Sequence, residues 1–157
     1  MRRQKDVSKS QSPRPGEIMD YLNTRFGLEP ELFSEYTFYL GSKGRVFLGP
    51  RASMNNLRIA TVGLLVARVN GAIKPTTNLL QIFGNQVKSN VVTLEKKNAL
   101  AFIKGSDVVP STEEIGLATD GYVLLRYLHF SLGCGLLRDG KIKNMLPKAK
   151  RLEVKFF

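Results

Sequence analysis

The chain has 157 residues, 43% hydrophobic and 24% charged, which is typical of a globular protein and excludes a chain that needs disulfide staples to fold. Its formal net charge is +11 at pH 7, and the excess lies at the two ends: residues 1–15 hold five Lys or Arg against one acidic residue, and residues 138–155 hold seven against two. Such clustering indicates a surface that binds a polyanion, with a merely solvated face as the alternative.

The first part of the chain predicts a flexible basic arm followed by a helix. Residues 1–14 are rich in Ser, Lys and Arg and poor in apolar side chains, which is typical of a flexible arm. Pro15 suits the first turn of a helix, and Gly27 suits its end. Between them, apolar residues recur four positions apart, as expected for one helix face: Ile18, Leu22 and Phe26.

Strands are expected to follow this helix. Alternation over residues 36–40 and 46–48, with a turn at 41–44, predicts a hairpin. The continuous apolar run 59–69 predicts a central strand buried on both faces. An Asn-Gly turn dipeptide then marks a boundary, so we expect residues 15–71 to form a small N-terminal α/β domain.

The pattern restarts after this boundary in the order β-α-β-α. A short strand at 72–74 is expected to lead into a helix opened by Pro75 and closed by Gly84-Asn85. A strand at 90–94 is expected to lead into a second helix, capped by Thr93. The expected apolar faces of the two helices are Leu79, Leu80 and Phe83 in the first, and Leu100 and Ile103 in the second.

The last third of the chain is expected to be rich in β-structure. Residues 122–128 and 130–137 are strand-like, Asp139-Gly140 is a strong turn signal, and 152–156 is expected to close the sheet. The fold class predicted for the whole chain is α+β. It consists of the N-terminal α/β domain followed by a compact C-terminal β-barrel with two helices over residues 72–157.

The residues that most often carry chemistry indicate no catalytic site, no metal site and no cofactor. Cys134, the single cysteine, is expected to be a buried strand thiol, and His129, the single histidine, to be packed or at a strand edge. Glu113 and Glu114 are adjacent carboxylates, but Ser111 and Glu114 have the spacing of a helix capping box. The sequence contains no phosphate-binding loop and no dinucleotide fingerprint.

The C-terminal basic segment is the strongest candidate site. Lys and Arg there can contact phosphates, while Asn144 can either pair with a base edge or cap the loop backbone. Together with two lysines earlier in the chain, the candidate RNA-binding residues are Lys74, Lys88, Lys141, Lys143, Asn144, Lys148, Lys150, Arg151 and Lys155.

The run 72–108, followed by the strand-like run 121–137, resembles a PUA domain, the RNA-binding module named for pseudouridine synthases and archaeosine transglycosylases. The element from Lys74-Pro75 to Gly84-Asn85 and the strand at 132–135 resemble ribosome-biogenesis factors of NIP type, which assist large-subunit assembly. The C-terminal loop is similar to the PUA-like tail of NOP/Sun-type RNA cytosine methyltransferases. The residues that carry this second likeness are Gly140, Lys143, Asn144, Pro147, Lys148 and Arg151.

This resemblance implies that the expected C-terminal barrel is PUA-like and that its partner is RNA. It does not imply a methyltransferase in this chain, because those enzymes are built around a Gly-rich turn for the methyl donor and two active-site cysteines. The leading hypothesis is therefore a non-catalytic protein that binds ribosomal precursor RNA, with the N-terminal domain free for protein contacts. The alternative is an accessory or targeting subunit of an RNA methyltransferase or pseudouridine synthase.

The sequence also indicates where the protein is expected to act and how it is expected to assemble. No apolar segment of a secretory signal follows the basic N-terminus, and the run 59–69 is too short to span a bilayer. We expect a monomer without a membrane partner, cytoplasmic or, in a eukaryote, nucleolar.

Overall fold

The computed structural model describes residues 14–51 and 63–152. In these ranges the chain forms two four-stranded sheets and four α-helices, with strand orders β1-β2-β3-β4 and β5-β6-β7-β8. This is a mixed α and β structure that is consistent with the predicted class, while closure of either sheet into a barrel stays a prediction. All but the last residue of the arm expected at 1–14 and most of the strand expected at 152–156 lie outside the described residues.

The first helix, α1 (Pro15–Phe26), follows the predicted bounds. Pro15 begins it, and Gly27 ends it in the left-handed conformation at φ 66°, which costs glycine little. The predicted apolar face is fully buried: Ile18, Leu22 and Phe26. The helix prediction is therefore confirmed at both ends and in its buried face.

The first sheet is antiparallel throughout. It contains β1 (Tyr36–Leu40), β2 (Arg45–Pro50), β3 (Leu64–Asn70) and β4 (Ala72–Pro75). The predicted hairpin is confirmed by the pairing of β1 with β2. The predicted central strand is described only from residue 63 onward, where the adjacent Val66 and Ala67 are both buried, as expected for a strand covered on both faces.

The Asn-Gly dipeptide at 70–71 is a turn inside this sheet. It joins β3 to β4, which pair antiparallel, so the strand expected at 72–74 extends the sheet of the preceding segment. Pro75 was predicted to open the next helix, but it ends β4. Helix α2 (Thr77–Ile82) is instead capped by Thr76, whose side-chain oxygen accepts from the Leu79 N–H at 3.2 Å. The division of the chain into domains at Gly71 stays a prediction.

The second sheet is mixed. It contains β5 (Val91–Thr93), β6 (Gly121–Tyr127), β7 (Phe130–Arg138) and β8 (Lys141–Asn144), and β5 pairs parallel with β6 whereas the other pairs are antiparallel. The predicted turn between β7 and β8 is confirmed, since Asp139 and Gly140 both have the positive φ that a tight hairpin requires (51° and 75°).

Helices α3 (Lys96–Ile103) and α4 (Thr112–Ile115) flank this sheet. The predicted start of α3 was wrong, because Thr93 lies in β5 and Glu95 precedes the helix. Of the predicted face, Ile103 packs against the buried cluster but Leu100 is exposed. The buried residues of the helix are Ala99 and Phe102. The last five residues of α3 are all apolar. The sequence therefore allows more than one apolar face, and packing against the sheet determines which one is buried. The predicted capping box of α4, Ser111 with Glu114, is confirmed.

The two sheets share buried contacts. One apolar cluster combines α1, the first sheet and α2 with Leu124 and Cys134 of the second sheet. Arg25 of α1 reinforces this junction, because its guanidinium donates to the carbonyls of Tyr122 (2.8 Å) and Thr119 (2.7 Å). A second cluster lies between the second sheet and α3, where Phe102 is fully buried.

Candidate nucleic-acid interface

The hairpin of β7 and β8 presents one group of cations. Lys141 and Lys143 are exposed, whereas Ile142 and Asn144, which alternate with them, are buried. The register places the exposed Arg138 directly across from Lys141. We call Arg138, Lys141 and Lys143 the hairpin cluster; these three side chains share a cavity of about 390 Å³ whose lining also includes Asp107.

The loop after β8 presents a second group. Pro147 leads into a 3-10 turn over Lys148–Lys150, and both lysines are exposed. The Lys150 ammonium donates to the Gln81 side-chain oxygen of α2 at 3.0 Å, which places it beside the end of that helix. We call Lys148 and Lys150 the loop cluster.

Asn144, predicted as an RNA contact or a loop cap, is a cap. It is only 8% exposed, and its amide group donates to the carbonyls of Phe102 (2.7 Å) and Ser106 (2.9 Å). Its side-chain oxygen accepts from the Leu146 N–H at 2.9 Å. With its amide engaged in this way inside the protein, Asn144 fixes the start of the loop, and its assignment as an RNA-binding residue is corrected.

Arg151 secures the other end of the loop. Its side chain is half-buried, and its Nε donates to the Leu146 carbonyl at 3.2 Å. It packs over Gly105, where an added Cβ would lie 2.6 Å from Arg151 Cδ. The next residue, Leu152, donates its backbone N–H to the Ile103 carbonyl at 2.8 Å, so the loop is tied back to the end of α3.

The earlier predicted lysines lie in different places. Lys74 lies across from the exposed Arg68 in the first sheet, and both line a cavity of about 180 Å³ whose wall also includes Pro147. Lys74 is therefore close to the loop. Lys88 instead forms an exposed ion pair with Glu29 at 2.9 Å, next to the end of α1. Lys155 lies outside the described residues.

The structure shows where the single cysteine and the single histidine of the chain, Cys134 and His129, lie. Cys134 is buried in β7 as predicted, and burial raises the pKa of its thiol to about 12, so the thiolate nucleophile is scarce at neutral pH. His129 is exposed in the turn just before β7, which rules out the packed alternative of its prediction. Among the described residues, no three His, Cys, Asp or Glu side chains converge on a possible metal position.

A cavity of about 750 Å³ lies between α1, the turn after β3 and the start of β6. Its lining includes two carboxylates, Glu17 and Asp120, and the Arg25 guanidinium is already hydrogen-bonded to protein carbonyls. Burial raises the pKa of Tyr21 in its wall, even though Arg25 acts in the opposite direction. These charges do not favour a phosphate group, so we place the candidate interface at the loop.

Sequence reasoning missed two contributors to this surface, Arg68 and Gln81, and it counted Arg138 in the basic segment without naming it as an RNA-binding residue. Arg68 and Arg138 join the surface through strand register, and Gln81 joins it through its bond to Lys150. Only the pairing of strands shows which lysines the two arginines accompany.

Comparison with known proteins agrees with this location. Residues 89–152 match the family model described as Methyltransferase RsmF PUA domain, which supports a PUA domain in the segment that contains both clusters. Over 147 residues the chain is 26% identical to ribosomal RNA small subunit methyltransferase F of Aeromonas salmonicida (strain A449), covering 87% of this chain and 29% of that protein. The chain thus spans less than a third of the length of this relative.

In the part of the chain that the structure describes, no helix combines the length and the apolar character needed to cross a membrane.

Proposed function

We propose that this chain binds ribosomal RNA through its PUA-like segment and that these 157 residues position the RNA rather than transform it. The observation that carries the proposal is the loop cluster. Lys148 and Lys150 are exposed on a turn whose ends are fixed by Asn144 and Arg151, inside the segment that matches a methyltransferase PUA domain. A fixed loop presents its cations at a defined spacing, which reduces the entropy lost on binding.

The electrostatics support a phosphate backbone as the ligand. Two clusters of exposed cations lie on β7–β8 and the following loop, and the whole chain has a net charge of +11. Phosphate contacts give affinity and register but carry little sequence information. The RNA bases must then be recognised by other groups, or the specificity must come from the shape of the RNA.

The similar protein from Aeromonas salmonicida is a ribosomal RNA small subunit methyltransferase by name. We therefore favour small-subunit ribosomal RNA as the ligand, with the chain acting to target a methyl-transfer reaction. A positioning role in place of catalysis within these residues is supported by Cys134, the single cysteine of the chain, which is buried with a raised thiol pKa.

A second candidate is a non-catalytic assembly factor of NIP type that uses its N-terminal part for protein contacts. It is favoured by the element from Lys74-Pro75 to Gly84-Asn85, whose end packs closely against the second sheet. Arg126 of β6 donates to the Gly84 carbonyl at 2.6 Å, and a Cβ on Gly84 would collide with the Ser131 hydroxyl. Both candidates require RNA binding and differ in the RNA that is bound.

The test of RNA binding is a salt titration with a labelled single strand of about 16 nucleotides from small-subunit ribosomal RNA. Replacing Lys148 and Lys150 together with Ala removes two phosphate contacts, so the slope of log affinity against log salt should become shallower by about 1.4. Arg151 stays in place because it holds the loop. The matched control is Lys96→Ala with Lys97→Ala, two exposed lysines at the start of α3.

If the salt slope became equally shallow in the loop variant and in the control, only net charge would matter, and the loop would be rejected as the interface. The identity of the RNA is tested separately by crosslinking the tagged protein in cells and sequencing the RNA. Enrichment of small-subunit ribosomal RNA supports the targeting role. Enrichment of large-subunit precursors supports the assembly-factor role instead.

A further inference from the structure

The turn between β6 and β7 exposes two rings. Phe130 begins β7 and is 53% exposed, and its ring centroid lies 4.1 Å from that of His129, with the planes inclined by 34°. Leu128, the other residue of the turn, is 64% exposed. Aromatic and large apolar side chains gain free energy when they leave water, so an exposed group of them marks a contact surface. We call His129 and Phe130 the ring pair.

A β-bulge connects the strand of the ring pair to the loop cluster. Leu125 pairs with Gly133 and Arg126 with Ser131, so Leu132 is an extra residue with no partner in the ladder. Its carbonyl accepts from the Gln81 side-chain amide at 3.0 Å, and the same side chain accepts from the Lys150 ammonium at 3.0 Å. One glutamine therefore holds Lys150 beside β7.

Phe130 lies two residues before Leu132 on that strand, which corresponds to about 7 Å along the backbone. The ring pair is thus connected to Lys150 through two residues of β7 and the Gln81 side chain. Ile82, the residue after Gln81 in α2, is a further exposed apolar side chain, at 58% exposure. The combination of exposed rings with an adjacent cation is the one that single-strand binders use, with bases stacked on rings and phosphates held by lysines.

We propose that the ring pair stacks on an unpaired base of single-stranded RNA while Lys150 binds a phosphate next to that base. This inference rests on the proposed function and adds the group that contacts the bases, which the lysines alone do not supply. Stacking requires no hydrogen-bond match, so it selects unpaired bases over a duplex without selecting one base. The preferred ligand is therefore a loop, bulge or end of the RNA.

The test uses Phe130→Leu, which keeps an apolar side chain but removes the ring. Its matched control is Tyr36→Leu, since Tyr36 is an aromatic residue of the first sheet with 44% exposure. The probe is a labelled single strand of about 16 nucleotides in which one base is 2-aminopurine, whose fluorescence falls when it stacks. Affinity, salt slope and quenching are measured for both variants, for wild type and for Phe130→Trp.

Phe130→Leu is expected to weaken binding about 5- to 100-fold, to leave the salt slope unchanged and to reduce quenching, whereas Phe130→Trp should keep both affinity and quenching. Wild-type affinity and quenching in Phe130→Leu would overturn the stacking proposal. If the Lys148 and Lys150 variant still loses salt slope in that case, the proposed function stands without the ring pair. Failure of the wild-type protein to bind the probe would overturn both.

Discussion

The two ends of helix α3 are held in opposite ways, although both rely on a buried polar side chain. At the N-terminal end, the Glu114 carboxylate accepts from the Glu95 N–H (2.8 Å) and the Asn98 amide (2.9 Å). At the C-terminal end, the Asn144 amide donates to the carbonyls of Phe102 and Ser106. An acceptor at the N–H end and a donor at the carbonyl end match the groups that a helix leaves unpaired.

The two ends of α3 also differ in the second segment that the buried polar side chain connects to the helix. Glu114 joins α3 to the capping box of α4 through Ser111. Asn144 joins α3 to the loop cluster, because it also accepts from Leu146 just before Lys148. A substitution of Glu114 should therefore lower only the free energy of unfolding. A substitution of Asn144 should lower it as well and should also alter the surface proposed for RNA.

The largest effect is expected for Asn144→Asp. The change removes both amide donors and places a carboxylate against two carbonyls at the negative end of α3, so we expect a loss of about 3 kcal/mol in unfolding free energy. Urea unfolding at pH 7 measures it, and RNA affinity should fall as well. The control is Asn85→Asp, which makes the same charge change at an exposed position. Equal urea midpoints for the two variants would contradict the anchoring role of Asn144.

A smaller effect is expected at the other end of α3. Burial disfavours the charged Glu114 carboxyl, but hydrogen bonds from Ser111, Glu95 and Asn98 outweigh burial and hold its pKa below the ordinary value. A lowered pKa gives stability that is present above the unfolded-state pKa of about 4.3 and is lost as the pH falls through the folded-state pKa. Glu114→Gln should therefore cost about 2 kcal/mol at pH 7 and progressively less in acid.

Unfolding followed by circular dichroism between pH 7 and acid checks this prediction, with Glu113→Gln as the control at the adjacent exposed position. RNA affinity at pH 7 should be unchanged in both variants, unlike in Asn144→Asp. A stability difference between wild type and Glu114→Gln that stays constant with pH would show that the charge of Glu114 contributes nothing.

The same two residues show how far the sequence could predict this fold. Ser111 and Glu114 are three positions apart, so their capping box is a local pattern and was predicted correctly. Asn144 and its partners Phe102 and Ser106 are 42 and 38 positions apart, and nothing local links them. The spacing around Asn144 therefore allowed both a base contact and a loop cap, and only the tertiary structure separates these roles.

The ends of α1 and the β7–β8 turn could also be predicted, because they depend on local residues. Pro15 and Gly27 bound α1, and Asp139-Gly140 shapes the β7–β8 turn, through the conformations of those residues alone. The pairing of β4 with β3 across the turn at 70–71 depends on the rest of the sheet, so the sequence suggested a boundary there. The two strands beside the ring pair were predicted with a break at His129, but the exposure of His129 and Phe130 was not, because an aromatic residue at a strand end can lie in the core or in solvent.

The smallest effect is expected for Arg151→Lys, which decides whether Arg151 acts only as an anchor. Lysine keeps the charge but cannot donate an Nε bond to Leu146, so we expect a loss of about 1 kcal/mol in unfolding free energy and an unchanged salt slope for RNA. Lys148→Arg, the reverse exchange at an exposed position, should change neither quantity. A clear loss of RNA affinity in Arg151→Lys without a loss of stability would show that the guanidinium also binds phosphate in a bidentate geometry that lysine cannot reproduce.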